Sequence, residues 1–286
     1  MDIIDTQIHL FMTMTDDQAV AAMDALGIQA ALIDEVWQLD ESLNDTVATP
    51  GYRLANGVFR PTSPGGMAAS MRRPDRFSFL LRVHADDPEI EAQIAEVKAC
   101  PQARAIRLDA RGEVERKAAQ EGARQRYFEL VSRYDLPVFV MTWGDAASFE
   151  QYIRALPDLR IVIDHCGVPS NEEEFQQTLA LAKYPNAHLK WSHAPMVFSA
   201  QRYPFPEVRP FLDRALEAFG RERVMWASDF TVIPAAAKAG LGTVEYSWAE
   251  ALFYMRDNPS LSDDDKAWVL GRSARKLLDW PLPVAS

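Results

Sequence analysis

Eight short apolar runs rich in β-branched residues recur along the chain, and their alternation with helical stretches constrains the fold more than any other feature. The runs are DIID, IQAALID, FSFLLRV, ARAIRL, LPVFVM, LRIVID, AHLKWS and RVMWAS. Between most of them lie segments with helical spacing: DDQAVAAMDAL, DPEIEAQIAEVKA, AQEGARQRYFELVSRY, DAASFEQYIRAL, NEEEFQQTLALAKY and PEVRPFLDRALEAF. Strand then helix, repeated eight times, is the pattern of an α/β chain folded as a (β/α)8 TIM barrel. The last two helices are VEYSWAEALFYMRD and SDDDKAWVLGRSARKLLDW, the second begun by Ser262 as N-cap with acids in its first turn. A length of 286 residues admits one large barrel or two ordinary domains. No linker, repeat or low-complexity tract divides it, so a single domain over 1–286 is expected. The least regular portion, 37–76, lies between the second and third strands. In a barrel such an insertion either covers the catalytic face or is a plain surface excursion, and both readings stand.

Forty-one acidic against thirty basic residues give a net charge of −11. That balance opposes attachment to nucleic acid or to anionic membranes and points to a small-molecule partner. The sequence has no apolar run of about eighteen residues that would span a bilayer, and it opens without the basic flank and apolar core of a secretory signal. A cytoplasmic location is the expectation. Cys100 and Cys166 are far apart and read as buried thiols rather than a disulfide framework. The aromatic-rich stretch APMVFSAQRYPFPEV reads equally as a pocket lid or as a contact in a homo-oligomer.

In barrels of this kind catalytic groups project from the C-terminal ends of strands. Here the first strand ends in Asp5, Gln7 and His9, the third in Arg82 and His84, the fourth in Arg107 and Asp109. The sixth ends in Asp164 and His165, the seventh in Lys190, Ser192 and His193, and the eighth in Ser228 and Asp229. His9, His165 and Asp229 would converge in one cavity. Arg107 and Lys190 fall where inward-facing residues are expected, and with Arg82 they suggest a small anionic substrate, a carboxylate. The same Arg82 reads equally well as an ion-pair partner of a nearby acid. Asp109 and Asp164 read as helix caps or partners of an Arg, and His188, early in the seventh strand, as a structural histidine. Cys166 beside His165, and Ser228 beside Asp229, would point to opposite faces of a strand, which argues against a nucleophile and base pair. There is no G-x-S-x-G elbow, phosphate loop or G-x-G-x-x-G.

The stretches DTQIHL, IVIDHCGVP, RVMWASDF and VLGRSARKLL resemble the amidohydrolase superfamily, in particular its amidohydrolase-2 branch of barrel hydrolases, lactonases and decarboxylases. In metal-dependent members the opening motif is D-x-H-x-H. The resemblance implies a cation held by both of its histidines, often by a fifth-strand histidine, and by an aspartate matching Asp229. This chain departs from that set: Gln7 replaces the first histidine, and LPVFVMTWG on the fifth strand carries none. An amide oxygen is a poor substitute for imidazole on zinc. The expectation is therefore no metal, with a weak zinc or manganese site at His9, His165 and Asp229 as the alternative.

The resemblance extends to the 2-pyrone-4,6-dicarboxylate lactonase branch, which implies ester hydrolysis with Asp229 as base and cationic side chains in place of the metal. On this reading His9, His165 and Lys190 stabilise the oxyanion, His193 donates to the leaving oxygen, and Arg107, Gln7, Arg82 and His84 bind substrate. The alternatives are a metal-dependent amidohydrolase or decarboxylase of a small organic acid, and a barrel that binds a small acid without converting it.

Overall fold

The computed structural model describes residues 1–10, 14–36, 50–238 and 240–282. Eight parallel strands follow one another in chain order: β1 (Ile4–Ile8), β2 (Ala30–Ile33), β5 (Phe77–Arg82), β6 (Ala103–Asp109), β7 (Val138–Met141), β8 (Ile161–Ile163), β9 (Ala187–Trp191) and β10 (Val224–Trp226). Each pairs in parallel with the next. The remaining strands, β3 (Gly51–Arg53) and β4 (Phe59–Pro61), form a separate antiparallel hairpin. The architecture is a (β/α)8 TIM barrel, as the alternation of runs predicts. β1 and β10 meet at a seam closed largely by side chains. Asp229 N donates to Gln7 O at 3.1 Å and Thr6 Oγ1 to Trp226 O at 2.7 Å. The buried Asp5 carboxylate spans the seam, accepting from Ser228 N (2.9 Å), Ser228 Oγ (2.5 Å), Gln7 N (3.1 Å) and Trp248 Nε1 (2.7 Å). Burial outweighs these donors and pushes its carboxyl up to about 6.

Two apolar layers explain why the polar groups gather at one end. Inside the barrel, Ile4, Leu32, Leu80, Ala105, Phe139, Val162 and Met225 form a core that Leu277 at the end of the last helix, and Leu278 and Trp280 just after it, seal from below. Outside it, strand and helix faces form a larger core; helix Gln125–Arg133, for example, buries Tyr127, Phe128, Leu130 and Val131. With the N-terminal mouth plugged by hydrocarbon, the charged side chains of the barrel interior meet at the C-terminal mouth.

Local differences from the sequence reading have physical causes. The expected helix over 119–134 is two helices, Glu113–Gln120 and Gln125–Arg133, interrupted where Gly122 adopts φ +77°. The helix of VEYSWAEALFYMRD starts only at Trp248, because Ser247 caps it and Glu250 returns the bond to the cap backbone. The C-terminal helix contains a π-turn at Trp268–Arg272, where Gly271 lies against Asp2 O so closely that any Cβ would collide with it. Of the insertion at 37–76, residues 37–49 lie outside the described residues. The rest is the β3–β4 hairpin and helix Pro64–Arg72. Arg60 ties the hairpin to Asp87 by two bonds of 2.7 and 2.6 Å. Glu35 accepts from Gly65 N (3.1 Å) and Gly66 N (2.7 Å) at the start of that helix. No helix among the described residues is long and apolar enough to cross a membrane.

His188, in β9, has the structural character its position suggests. Its Nδ1 is buried without a hydrogen-bond partner among the described residues. Burial, aided by Arg223, Arg160 and Lys276, pushes the imidazole down to about 3 from 6.5. As the pH falls below about 6.5 the unfolded chain binds a proton that folded His188 refuses. The group therefore withdraws up to about 1.4 kcal/mol of stability per pH unit until about pH 3. His188→Asn is expected to flatten the acid limb of a stability profile measured by denaturant titration between about pH 6 and 4. Parallel wild-type and variant profiles would refute this.

Candidate active site

Four of the strands that build the mouth are followed, two or three residues on, by a residue with left-handed backbone: Trp143 (φ 48°), His165 (φ 49°), His193 (φ 52°) and Asp229 (φ 47°). Side chains with a Cβ seldom adopt this region, at a cost of about 1–3 kcal/mol each, and such outliers cluster where a site needs them. The turns bring His165 and His193 to a ring separation of 4.8 Å and set both against Asp229. They also correct one expectation. His165 and Cys166 lie in a left-handed turn rather than on a strand, and Cys166 Sγ bonds to Ser192 O, its thiol pushed far up by burial.

Asp229 is the hub. Its Oδ2 accepts from Gln7 Nε2 at 2.9 Å and lies 3.0 Å from His193 Nε2 and 3.7 Å from His165 Nε2. Its Oδ1 lies 2.8 Å from His9 Nε2, yet has no aligned hydrogen-bond donor among the described residues. Burial raises this carboxyl, but His9 and His193 outweigh burial and hold it well below the usual carboxylate range. Asp229 is therefore an anion at neutral pH. His9 Nδ1 faces Asp34 O at 2.5 Å, and a carbonyl only accepts, so Nδ1 carries a proton and Nε2 faces Asp229. Tyr246 does the same for His193: its hydroxyl donates to Ser228 O (3.1 Å) and accepts from His193 Nδ1 (3.0 Å).

Around this hub runs a chain of alternating charges. Arg82 grips Asp34 through Nε (2.9 Å) and Nη2 (2.6 Å), and Asp34 also pairs with Arg107. Arg107 Nη2 reaches Asp164 (2.7 Å), whose other oxygen pairs with Lys190 Nζ (2.5 Å), and Lys190 bonds to Gln7 Oε1. That last bond fixes the amide: Gln7 turns its oxygen to Lys190 and its NH2 to Asp229. Arg107 Nη2 also lies 3.0 Å from His165 Nε2. A guanidinium only donates, so Nε2 is the acceptor and His165 Nδ1–H donates to Ser192 Oγ at 2.7 Å. Burial, with Lys190 and His193 nearby, pushes His165 well below the ordinary imidazole range and keeps it neutral.

The cavity at this mouth is lined on its polar side by Gln7, His9, Arg82, Arg107, Arg111, His165, His193 and Asp229, and on its other side by Met141, Trp143, Val232, Ala236 and Leu241. Two of the expected site residues are not among these lining groups. Lys190 is buried beneath, between Asp164 and Gln7, so it touches the site through the Gln7 amide. His84 turns away and accepts from Asp86 N at 3.1 Å. No described part of the insertion at 50–76 lines the cavity either. Sequence reasoning missed Asp34, Trp143 and Tyr246. Asp34 stands at a strand end and was findable by the rule that found the others, whereas Tyr246 comes from the loop after β10 and carries no local signal.

Residues 66–280 match the family model described as amidohydrolase. The chain belongs to the amidohydrolase family. This amidohydrolase is 30% identical over 131 residues to an L-fucono-1,5-lactonase of Burkholderia ambifaria, covering 43% of this chain and 42% of the lactonase. It is 27% identical over 249 residues to an L-fucono-1,5-lactonase of Burkholderia multivorans, covering 73% of this chain and 78% of the lactonase. Matches at 30% identity or more thus span about two fifths of the length of those curated relatives. Among solved structures, an amidohydrolase of Burkholderia multivorans with bound zinc superposes with a TM-score of 0.73 at 15% identity, over 98% of this chain and 100% of that one. A probable 2-pyrone-4,6-dicarboxylic acid hydrolase of Acinetobacter baumannii, with citric acid bound, gives 0.64 at 15% identity, over 98% and 100%. At these identities the two structures speak for the fold alone.

The family raises the question of a metal. His165, His193 and Asp229 each offer a ligand atom, all within 4.8 Å of one another, the composition of a three-ligand centre with an open position. His9, expected in that set, lies outside it, and His193 takes its place. Against this composition stands the bonding. A neutral imidazole nitrogen has one lone pair, and that of His165 Nε2 already accepts from Arg107. The place of the missing first histidine holds the Gln7 amide, whose N–H points at Asp229.

Proposed function

We propose that this amidohydrolase-superfamily enzyme hydrolyses a small carboxylated lactone or similar ester in the cytoplasm, without a metal. One observation carries the reading. Asp229 is a buried anion with one oxygen held by Gln7 and the other without an aligned donor, in the wall of the cavity. That oxygen, with His9 Nε2 at 2.8 Å, is the one that takes a proton from a water. The water oxygen bonds to the carbonyl carbon as Asp229 Oδ1 receives its proton. The carbon–oxygen ester bond then breaks, and His193, which enters the step with a proton on each ring nitrogen, Nδ1–H on Tyr246 and Nε2–H beside the Asp229 anion, gives its Nε2 proton to the leaving alkoxide. The Asp229 carboxyl then turns to present its proton to His193 Nε2, which lies 3.0 Å from Oδ2, and its return restores both groups. His9 and the positive end of Arg107 stand where negative charge develops, buried from bulk water, which strengthens their effect. Arg107 Nε has no hydrogen-bond partner among the described residues, which makes it the donor for a substrate oxygen; Arg82 and Arg111 line the same wall and favour a carboxylate there. Lys190 acts by orienting Gln7.

Metal independence rests on Arg107 occupying the His165 lone pair, and it has a direct test. Protein purified without chelator is expected to carry far less than one zinc or manganese per chain by elemental mass spectrometry, and dialysis against chelator should leave lactone hydrolysis unchanged. Activity lost to chelator and restored by zinc would replace this reading with a metal-dependent hydrolase or decarboxylase. The cluster of His165, His193 and Asp229 would then supply the ligands. Saturable binding of small acids and lactones with no turnover would instead indicate a non-catalytic barrel.

A further inference from the structure

A second cavity lies at the opposite end of the barrel. Its wall includes Arg160, just before β8, His188 in β9, Arg221 and Arg223, just before β10, and Lys276 of the last helix, with Glu222 as the acidic side chain among its lining residues. It measures about 590 Å³, within the range of small-molecule sites. Four cations against one carboxylate is an unexpected wall in a chain of net charge −11.

The bonding of these cations shows which are committed. Arg223 is held by backbone carbonyls, of Phe219 (2.9 Å), Tyr184 (2.7 Å), Ala187 (3.1 Å) and Ala182 (3.0 Å), and no carboxylate among the described residues contacts it. It is a fixed, uncompensated positive charge. The other three pair with carboxylates that are half or more exposed, except that Arg221 also meets Asp265 at 3.0 Å, whose side chain is 30% exposed. Arg160 meets Asp135 and Asp279, whose side chains are 70% and 71% exposed; Arg221 meets Asp264 and Lys276 meets Glu222, both 50% exposed. The exposed pairs of Arg160 and Lys276 contribute little, so an incoming oxyanion can exchange for them at small cost, while Arg221 can turn one of its two nitrogens from Asp264 and keep Asp265. His188 adds a buried Nδ1 that has no partner among the described residues.

We propose that this cavity is a binding site for a small multivalent oxyanion, separate from the catalytic mouth. A singly charged ligand would do no more than replace Glu222 on Lys276. A ligand with two or more clustered negative charges would meet Arg223 and draw Arg221 and Lys276 inward. Phosphoryl and polycarboxylate compounds share this chemistry.

Titration calorimetry and thermal unfolding with inorganic pyrophosphate and with citrate, at ionic strength fixed by sodium chloride, test the site and separate the two sources. Wild-type protein is expected to bind at least one of them saturably, and the preferred one names the ligand class. The Arg221→Ala, Lys276→Ala double variant should weaken binding by about tenfold or more. Glu222→Gln, which frees Lys276 and removes the opposing charge, should tighten it. The opposite responses of these variants guard against a folding defect in the first. Absence of saturable binding of either probe would overturn the proposal. So would binding that ignores both variants and disappears in Arg82→Ala, because the anion would then occupy the catalytic mouth.

Discussion

Asp229→Asn is expected to lower kcat for an identified lactone by about two to four orders of magnitude, the range of general acid and base catalysis, with KM little changed. The substitution keeps the shape of the hub. An amide can turn its oxygen toward Gln7 Nε2 and His193 Nε2, now 2.9 and 3.0 Å from Oδ2, and its NH2 toward His9 Nε2. It cannot accept a proton from water. It also removes the negative charge against which His9 and His193 are set, so the acid side of the reaction weakens together with the base. Steady-state kinetics measure the loss, and an unchanged melting temperature would separate it from unfolding. Turnover within about tenfold of wild type would remove Asp229 from the role of base and leave the cations and imidazoles as the whole of the catalytic apparatus.

Much of this site was legible in the sequence because the barrel imposes a rule. Strand ends collect at one mouth, so Gln7, His9, Arg107, His165 and Asp229 could be brought together from eight apolar runs and the polar residues that follow them. The rule has limits that follow from its physics. Period-two alternation places side chains only while the chain is extended, and β8 ends at Ile163. His165, His193 and Asp229 owe their direction to left-handed turns, which no propensity at those residue types announces. Charge was legible as composition but not as pairing. Arg82 and Lys190 stand near the mouth as expected, yet Arg82 lines the cavity while clamped to Asp34, and Lys190, held by Asp164, reaches the site only through the Gln7 amide. Gln7 is the clearest case. From sequence it is a missing ligand; in the fold it is an amide oriented by Lys190 to donate to Asp229, a role that needs two strands' worth of context to be seen.

The second large effect concerns Arg107, which is 2% exposed and joins Asp34, Asp164 and His165. Arg107→Met is expected to destabilise the fold by about 3–5 kcal/mol, because removing one member of a buried ion network leaves its partners buried and under-compensated. The loss should depend on pH in a defined direction. Burial favours the neutral form of Asp34, but Arg82 and Arg107 together hold its carboxyl well below the usual range. A depressed carboxyl contributes stability above its unfolded value, near 3.8, and loses it as the pH falls. Without Arg107 that contribution shrinks, so the gap between wild type and variant is level from neutral pH down to about pH 4 and narrows only below about 3.8. Denaturant titrations at about pH 7 and pH 3 read both the size and the trend; a loss below about 1 kcal/mol at pH 7 would mean that Asp34 and Asp164 find other donors. The same variant tests why the site would work without a metal. It returns the lone pair to His165 Nε2, completing with His193 and Asp229 the geometry of a three-ligand centre. Zinc should therefore bind Arg107→Met more tightly than wild type, and equal affinities would place the barrier to metal elsewhere, at the Gln7 amide.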